Sequence, residues 1–251
     1  MKLTTLGTSH GDPTEKRFNS CNTLEVGENM YIIDSGVPVN SLFIRKFTND
    51  FSRLRAVFIT HMHDDHIGGL PSLIKSVIKY PKEGQHTMVF LPEDVEAPLK
   101  GWLKAMHLEN FDNLITFKVT KEGLVYENDG LKVYAVGTQH IPSENGNITF
   151  AYRFEAEGKS LFYTGDLAYG FTDFPEEHLV EKGADLCVCE CTHFNPVLVA
   201  KATEKLPIKR IVFNHVSNGI ATEEGEKEFL GLFKNHKYPY SVAKDGDEFE
   251  I

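Results

Sequence analysis

One stretch decides how this chain is interpreted: AVFITHMHDDHIGG at residues 56–69. Its apolar first half is typical of a buried strand, and its glycine-rich end leads into an apolar helical pattern. Between them, His61, His63, Asp65 and His66 fall within six positions, and all four side chains are ligands of first-row metals. Because side chains at the end of one strand cannot all point the same way, the cluster predicts two adjacent metal sites rather than one.

The pattern of an apolar run that ends at a possible metal ligand recurs elsewhere in the chain. An apolar, strand-like run ends at a residue able to bind or orient a metal at five places: Asp34, His61, His140, Asp166 and His215. In layered α/β folds, functional sites collect beyond the carboxyl ends of strands. We therefore expect these five residues to converge, although they are far apart in the sequence.

Hydrophobic periodicity and turn signals predict elements along the whole chain. Strands are expected at 2–6, 22–26, 30–33, 54–60, 87–91, 114–119, 124–126, 131–137, 148–155, 160–164, 186–189 and 210–213. Helices are expected at 38–47, 67–80, 92–107, 196–205 and 222–233. The strands over 114–137 are interpreted as a β-meander, and the tail around 245–247 as a final hairpin. No linker divides the chain, so we expect one domain over 1–251.

Composition restricts the class of protein. Of the 251 residues, 41% are hydrophobic and 25% are charged, which are ordinary values for a globular protein. No apolar run approaches the ~20 residues that span a bilayer, and residues 1–11 lack the pattern of a signal peptide. Cys187, Cys189 and Cys191 alternate along a strand and cannot bridge easily, so we interpret them as core residues of a reducing, cytoplasmic protein.

The charge restricts the partners. A formal net charge of −10 disfavours an extended nucleic acid, because such binding depends on Lys and Arg side chains that neutralise phosphates. We expect a small-molecule substrate and no membrane partner, and a homodimer remains an open option.

The motif set resembles the metallo-β-lactamase fold superfamily. The residues that carry this resemblance are HMHDDH at 61–66, Asp34 upstream, and His140, Thr164-Gly165-Asp166 and His215 downstream. Within the superfamily, LGT at 6–8 with Pro13, ITH at 59–61, HIGGLP at 66–71, and Glu190 after Ala184-Asp185 are similar to one branch. That branch contains the tRNA 3′-end processing endoribonucleases (ribonuclease Z-like) and small phosphodiesterases. The resemblance implies an α/β fold, a four-layer αβ/βα sandwich with two sheets face to face and helices outside.

The resemblance also implies a ligand set for two divalent cations. His61, His63 and His140 would hold the first metal, Asp65, His66 and His215 the second, and Asp166 would bridge both. Asp34 would orient the histidine loop by hydrogen bonding. Zinc suits these imidazole and carboxylate donors, with manganese or iron as alternatives. Two cations about 3.5–4 Å apart can share a bridging water and lower its pKa, and Asp65 could take its proton.

The chain also departs from the tRNA-cleaving members. Those enzymes carry a long tRNA-gripping arm between the positions of His140 and Asp166, whereas this chain has only a hairpin there. They also have a His-Glu-Ala-Thr sequence and a later assisting histidine. Here the matching sequence is CECT at 189–192, and 196–213 contains no histidine. Glu190 is retained, and His193 is either a substitute general acid or a surface histidine.

Two loops lie near the expected site. His10 follows the first strand and would either line the substrate pocket or be a solvated loop residue. Ser143, Asn145 and Asn147 follow His140 in a polar loop that could touch substrate, although an ordinary turn is the simpler interpretation.

Three classes of function stay open. The leading hypothesis is a binuclear metal-dependent hydrolase, a phosphodiesterase for a small or cyclic phosphodiester that uses a metal-bridging hydroxide. The same hydroxide could serve a lactone, thioester or β-lactam hydrolase, and a ribonuclease Z-type endoribonuclease is less favoured because the arm is missing. A non-catalytic metal-binding scaffold is the third class, and the full set of ligands disfavours it.

Overall fold

Two seven-stranded β-sheets form the centre of this computed structural model, which describes residues 1–144 and 146–251. The first sheet contains β1 (Lys2–Gly7), β2 (Cys21–Val26), β3 (Asn29–Ser35), β4 (Leu54–Phe58), β5 (Thr87–Leu91), β6 (Ile115–Val119) and β14 (Asp247–Glu250). The second contains β7 (Gly123–Asn128), β8 (Leu131–Gly137), β9 (Phe150–Ala156), β10 (Lys159–Tyr163), β11 (Leu186–Glu190), β12 (Ile211–Asn214) and β13 (Tyr240–Val242). Asn145, in the polar loop after His140, lies outside the described residues.

The two sheets have the same kind of strand arrangement. Their strand orders are β14-β1-β2-β3-β4-β5-β6 and β13-β12-β11-β10-β9-β8-β7. In the first sheet, neighbours are antiparallel from β14 to β3 and parallel from β3 to β6. In the second, neighbours are antiparallel from β7 to β10 and parallel from β10 to β13. Strands β3, β4, β8, β10, β11 and β12 therefore present their carboxyl ends at one common edge of the sandwich.

Helices cover the outer face of each sheet. Over the first sheet lie α1 (Val39–Phe47), α3 (Leu70–Lys79) and α4 (Glu96–Ala105), and over the second lie α5 (Glu176–Lys182), α6 (Pro196–Thr203) and α7 (Glu223–Gly231). The short α2 (Asp64–Ile67) lies at the carboxyl edge of the first sheet. The predicted four-layer sandwich is thus confirmed.

Alternation along the strands explains the layers. In β3, Tyr31 and Ile33 pack into the core between the sheets, whereas Met30 and Ile32 pack under the helices of the first sheet. Both faces of such strands are buried, which is why they are nearly continuous hydrophobic runs in the sequence. The cysteine prediction is confirmed, because Cys187, Cys189 and Cys191 are unbridged and buried under the helices of the second sheet.

Two predicted strand pairings are wrong. The strands over 114–137 do not form one meander, because β6 pairs parallel with β5 in the first sheet while β7 and β8 belong to the second. The tail is not a hairpin either, since β13 pairs with β12 and β14 pairs with β1 in the other sheet. Between them, the Asp245 carboxylate accepts hydrogen bonds from Thr8 Oγ1 at 2.6 Å and Phe18 N at 2.7 Å, which anchors the chain as it crosses over.

Helix boundaries differ from the prediction at the histidine loop. The helix predicted over 67–80 is divided into α2 and α3 by Gly68 and Gly69. The backbone crosses β3 so closely there that a Cβ on Gly69 would lie 2.6 Å from the Ser35 carbonyl oxygen, so only glycine fits. The helix predicted over 92–107 is shortened to α4, and α5 was not predicted because Leu179 is its one buried residue.

The longest described helices, α3 and α4, have ten residues each. Within residues 1–144 and 146–251, no helix has the length and hydrophobicity of a membrane-spanning segment.

Candidate metal centre

The histidine loop is fastened to both sheets before it reaches the donors. Ile59 N donates to the Phe90 carbonyl at 3.0 Å in the first sheet, and Phe150 N of the second sheet donates to the Thr60 carbonyl at 3.0 Å. The single turn of α2 then faces Asp65 and His66 inward, where both are buried, and leaves Asp64 exposed. The local geometry thus separates the donors of this stretch into two groups.

We call His61, His63 and His140 the outer group. His63 Nδ1 lies 3.0 Å from His61 Nε2 and 3.2 Å from His140 Nε2, so three ring nitrogens converge on one point. His140 Nδ1 donates to the Leu167 carbonyl at 3.0 Å, which leaves Nε2 as the ring nitrogen that faces the other two histidines. Burial, followed by the neighbouring histidines, lowers the pKa of His61 and of His63. The rings of these two residues are therefore neutral near pH 7, which is the form that binds metal.

We call Asp65, His66, Asp166 and His215 the inner group, and all four side chains are buried. His215 Nε2 lies 3.1 Å from Asp65 Oδ2 and 3.3 Å from Asp166 Oδ2, and His66 Nε2 lies 3.4 Å from the same two oxygens. Burial alone would raise the pKa of both carboxyl groups, but His215 and His66 lower the pKa of each below its usual value. Two carboxylates therefore face the histidines inside the protein.

Asp166 connects the two groups. Besides its contacts in the inner group, its Oδ2 lies 3.7 Å from His61 Nε2 and 3.8 Å from His140 Nε2. One carboxylate oxygen thus reaches ring nitrogens of both groups.

The donor atoms fit divalent cations. Within each group, one ligand atom per residue lies within 4.8 Å of every other. Asp166 Oδ1 and His66 Nε2 are buried without a hydrogen-bond partner among the described residues. Buried polar atoms are normally satisfied, so a cation is the partner that this geometry lacks. Imidazole nitrogens with carboxylate oxygens favour zinc, and also suit manganese or iron.

Asp34 lies beneath the inner group and holds it in place. Its Oδ2 is 2.8 Å from His66 Nδ1, and its Oδ1 accepts a hydrogen bond from Thr60 N at 2.8 Å. Burial raises the pKa of Asp34, although His66 opposes this effect. Burial also disfavours the charged His66 ring, but Asp166 and Asp34 outweigh it and raise the pKa of His66 well above its usual value. Asp34 thus lies where it can orient the His66 ring and the histidine loop.

The backbone is strained at two of these residues. Asp34 has φ 58° and His215 has φ 51°, in the left-handed region that favours glycine. Such conformations cost about 1–3 kcal/mol each and cluster at functional sites. They are a structural signal of function that the sequence does not contain.

Glu190 and His193 form a pair at the end of β11. His193 Nδ1 lies 2.9 Å from Glu190 Oε1, which also accepts a hydrogen bond from Leu167 N at 2.7 Å. Burial lowers the pKa of His193, but the hydrogen bond to Glu190 outweighs it and raises that pKa. His193 Nδ1 is 3.8 Å from Asp166 Oδ2, so His193 belongs to the site and not to a remote surface loop. It also completes two further donor groups, with His140 and Asp166 and with Glu190 and His215.

A cleft of about 490 Å³ opens above the donors. His10 lines it, with its ring centroid 6.5 Å from that of His215, and Asp12 N donates to His10 Nδ1 at 3.4 Å. Thr60 and Tyr169 were not predicted as site residues from the sequence, although Thr60 contacts Asp34 and Tyr169 lines the cleft. The position of Tyr169, three residues after Asp166, was the one signal that could have drawn attention to it.

A second cleft of about 510 Å³ lies at the amino ends of β10 and β11. Its charged groups are satisfied, since Arg153 donates to the Gly183 carbonyl and Glu155, and Lys159 pairs with Asp185. No histidine is among the residues that line it, so metal chemistry belongs at the other edge of the sandwich.

Known proteins resemble this chain in sequence and in fold. Ribonuclease Z of Synechococcus sp. (strain CC9902) is 32% identical over 175 residues, which cover 67% of this chain and 52% of that protein. The chain spans about half the length of the curated relatives it matches first. The metallo-β-lactamase fold protein YhfI from Bacillus subtilis superposes with a TM-score of 0.77 at 16% identity over 99% of both chains. Human tRNase Z, short form (ELAC1), does so with a TM-score of 0.77 at 18% identity, over 100% of this chain and 99% of that one.

The fold comparisons agree with the layers described above, and the ribonuclease Z relatives agree with the branch that the motifs indicated. A family model described as Anti-Pycsar protein Apyc1 matches residues 1–238, which is nearly the whole chain. This protein therefore belongs to the Anti-Pycsar protein Apyc1 family, in the ribonuclease Z-like branch of the metallo-β-lactamase fold superfamily.

Proposed function

We propose that this protein is a metal-dependent phosphodiesterase that hydrolyses a small or cyclic phosphodiester at a centre of two divalent cations. The observation that carries the proposal is the position of Asp166. Its Oδ2 lies between 3.3 and 3.8 Å from ring nitrogens of both donor groups. A carboxylate shared between two histidine groups is the arrangement that a pair of neighbouring cations needs.

The proposed ligands divide between the two groups. His61, His63 and His140 would hold one cation, Asp65, His66 and His215 would hold the other, and Asp166 would be the carboxylate available to both. When bound, two divalent cations activate a water and stabilise the charge that develops on a phosphoryl oxygen. Asp34 and the Leu167 carbonyl fix the rings of His66 and His140 so that their Nε2 atoms face the centre.

Proton transfer is the part of the reaction that we assign to side chains. Asp65 is an anion 3.1 Å from His215 and accepts the proton of the attacking water. His193 is the general acid, because Glu190 holds its Nδ1 and raises its pKa, which leaves Nε2 to protonate the leaving oxygen. Glu190 itself is buried and accepts hydrogen bonds from Leu167 N and Thr192 N, so it positions His193.

The surroundings of the cleft support a small substrate. The described residues between His140 and Asp166 form the β9–β10 hairpin and the loop before it, with no long arm for tRNA. The cleft of about 490 Å³ suits a ligand the size of a nucleotide. The net charge of −10 disfavours binding of an extended polyanion. The family's name adds the further proposal that the protein acts against Pycsar.

The test is a comparison of substrates on protein loaded with zinc or with manganese. Bis-p-nitrophenyl phosphate and 3′,5′-cyclic nucleotides should be hydrolysed only by the metal-loaded protein, and the Asp166→Ala variant should be inactive. A precursor tRNA should be a poor substrate because nothing grips it. Absence of metal-dependent hydrolysis of either phosphodiester would overturn the proposal.

A carbonyl hydrolase is the competing outcome, because the same centre could attack a lactone, thioester or β-lactam. The same preparations should therefore be assayed on one compound of each kind. Faster hydrolysis of any of these than of the phosphodiesters would replace the proposal with the carbonyl alternative.

A further inference from the structure

Tyr169 is an exposed aromatic side chain at the candidate site. Its side chain is 79% exposed, the largest fraction among the large hydrophobic residues that the structure describes. It nevertheless lines the cleft together with Asp166 and His193. Its ring centroid lies 5.3 Å from that of His193 at an interplanar angle of 80°, an edge-to-face contact that leaves a ring face free.

The loop that carries Tyr169 is held on both sides. Before it, Leu167 N donates to Glu190 and Leu167 O accepts from His140, so the loop starts on groups of the site itself. After it, the Asp173 carboxylate accepts hydrogen bonds from Ala168 N at 2.9 Å and Gln139 N at 2.6 Å. Several hydrogen bonds therefore hold the segment that presents this ring.

Aromatic packing anchors the same loop from below. Phe171 stacks on Phe174 with ring centroids 4.5 Å apart and 18° between the planes, and it also contacts Phe194 at 4.5 Å. Phe171 has φ 64°, a strained conformation for a bulky residue that turns the chain after Tyr169. Phe171 is therefore packed against the core, whereas Tyr169, two residues earlier, is presented to solvent.

We infer that Tyr169 determines substrate specificity by stacking on the base of a nucleotide whose phosphodiester lies over the donor groups. The inference rests on the proposed function, which places the phosphodiester at the bottom of the cleft. Base stacking on an aromatic side chain changes affinity roughly 5- to 150-fold and tolerates any base, because every base has a π-face. The substrate class is therefore a nucleoside phosphodiester, and a base-free diester gains nothing from this residue.

The first experiment measures turnover by Tyr169→Ala and Tyr169→Phe. The substrates are 3′,5′-cyclic nucleotides with four different bases, and trimethylene phosphate as a six-membered cyclic diester that has no base. Tyr169→Ala should raise KM for every cyclic nucleotide by roughly 5- to 150-fold with kcat retained, and should leave trimethylene phosphate unaffected. Tyr169→Phe should behave as wild type, because stacking needs the ring and not the hydroxyl.

The matched control is Tyr80→Ala. Tyr80 is 47% exposed and follows the end of α3, about 15 Å along the helix from the histidine loop. Its removal should change no kinetic constant. If Tyr169→Ala lowers kcat/KM equally for cyclic nucleotides and for trimethylene phosphate, Tyr169 only supports the loop. If the KM values of this variant are unchanged, Tyr169 does not stack on the base. Either result overturns the inference.

A binding experiment separates this inference from the proposed function. Calorimetry on zinc-loaded protein compares adenosine 5′-monophosphate with ribose 5-phosphate, which differ by the base. Wild type should bind the nucleotide roughly 5- to 150-fold more tightly, and Tyr169→Ala should bind both equally. If wild type hydrolyses no phosphodiester, the proposed function fails while this preference still supports stacking. If wild type binds both compounds equally, the stacking inference fails whatever the protein hydrolyses.

Discussion

The outer and inner donor groups are built from similar residues but lie in different surroundings. His63 of the outer group is exposed, and its ring nitrogen faces two other imidazoles and, among the described residues, no carboxylate at comparable distance. Every side chain of the inner group is buried, and its histidines face two anionic carboxylates. A buried cluster with two carboxylates is organised before a metal binds, whereas a more open cluster of imidazole rings is held mainly by the metal. The difference predicts a tightly held inner cation and an exchangeable outer one.

Removal of Asp166 should abolish this difference, because both groups depend on it. Without the carboxylate, His66 and His215 lose a buried oxygen partner and the outer group loses its link to them. We expect Asp166→Ala to lose both cations and to lower kcat/KM by roughly 10³-fold or more. Elemental analysis and kinetics measure the two effects. Asp64→Ala, which removes an exposed carboxylate of the same loop, is the control and should retain both metals.

His193 lies between the groups, with its ring 4.6 Å from His140 and 5.2 Å from His215. As a general acid, it should matter for the reaction and not for the metals. We expect His193→Ala to lower kcat by about 10²-fold on a substrate with a poor leaving group, with the metal content unchanged. Loss of one cation from this variant would instead identify His193 as a ligand. The exposed His86, remote from the cleft, supplies a control substitution to Ala.

Replacement of Asp34 tests whether its hydrogen bonds keep the inner group in position for metal binding. Asp34→Ala leaves His66 Nδ1 and Thr60 N without their acceptor. We expect the affinity of the inner group for zinc to fall by about 10- to 100-fold, with a smaller change for the outer group. Chelator competition measures both affinities. Equal weakening of the two groups would show that Asp34 stabilises the whole loop and not the inner group alone.

The smallest expected change is in the stability of the metal-free protein when His63 is replaced. Because its side chain is exposed, His63→Ala should change the free energy of unfolding by no more than about 0.5 kcal/mol. His66→Ala, the matched change in the inner group, removes the buried partner of Asp34 and Asp166 and should be clearly more destabilising. Urea unfolding with a chelator present measures both variants. Similar decreases in the free energy of unfolding for the two variants would contradict the contrast between the open and the buried group.

Much of the fold was predictable because buried elements have a recognisable pattern of apolar residues in the local sequence. The strands that lie between two layers are continuous apolar runs, so most of them were found from the sequence. Their partners were not, as β6 and β14 demonstrate, because a strand carries the same pattern whichever sheet it joins. The crossing after β13 was mistaken for a turn because the role of Asp245, whose carboxylate is bonded by Thr8 and Phe18, depends on residues far away in the sequence.

The candidate site shows the same limit. The strand-end rule correctly anticipated that Asp34, His140, Asp166 and His215 would lie beside the histidine loop, and that rule needs only the direction of each strand. It could not decide between a solvated and a site position for His193, since the hydrogen bonds of Glu190 to Leu167 and His193 are made only in the folded chain. Tyr169 was missed because an exposed aromatic residue has no periodic signature.

By itself, the sequence determined which donors this protein has and that strands would deliver them to one edge, because residue type and alternation are local properties. The tertiary structure alone decided that one oxygen of Asp166 reaches both groups, that one group is open and the other buried, and that His193 and Tyr169 lie at the cleft. Those properties are distances and burial between residues from two different sheets. They exist only once the sheets have packed face to face.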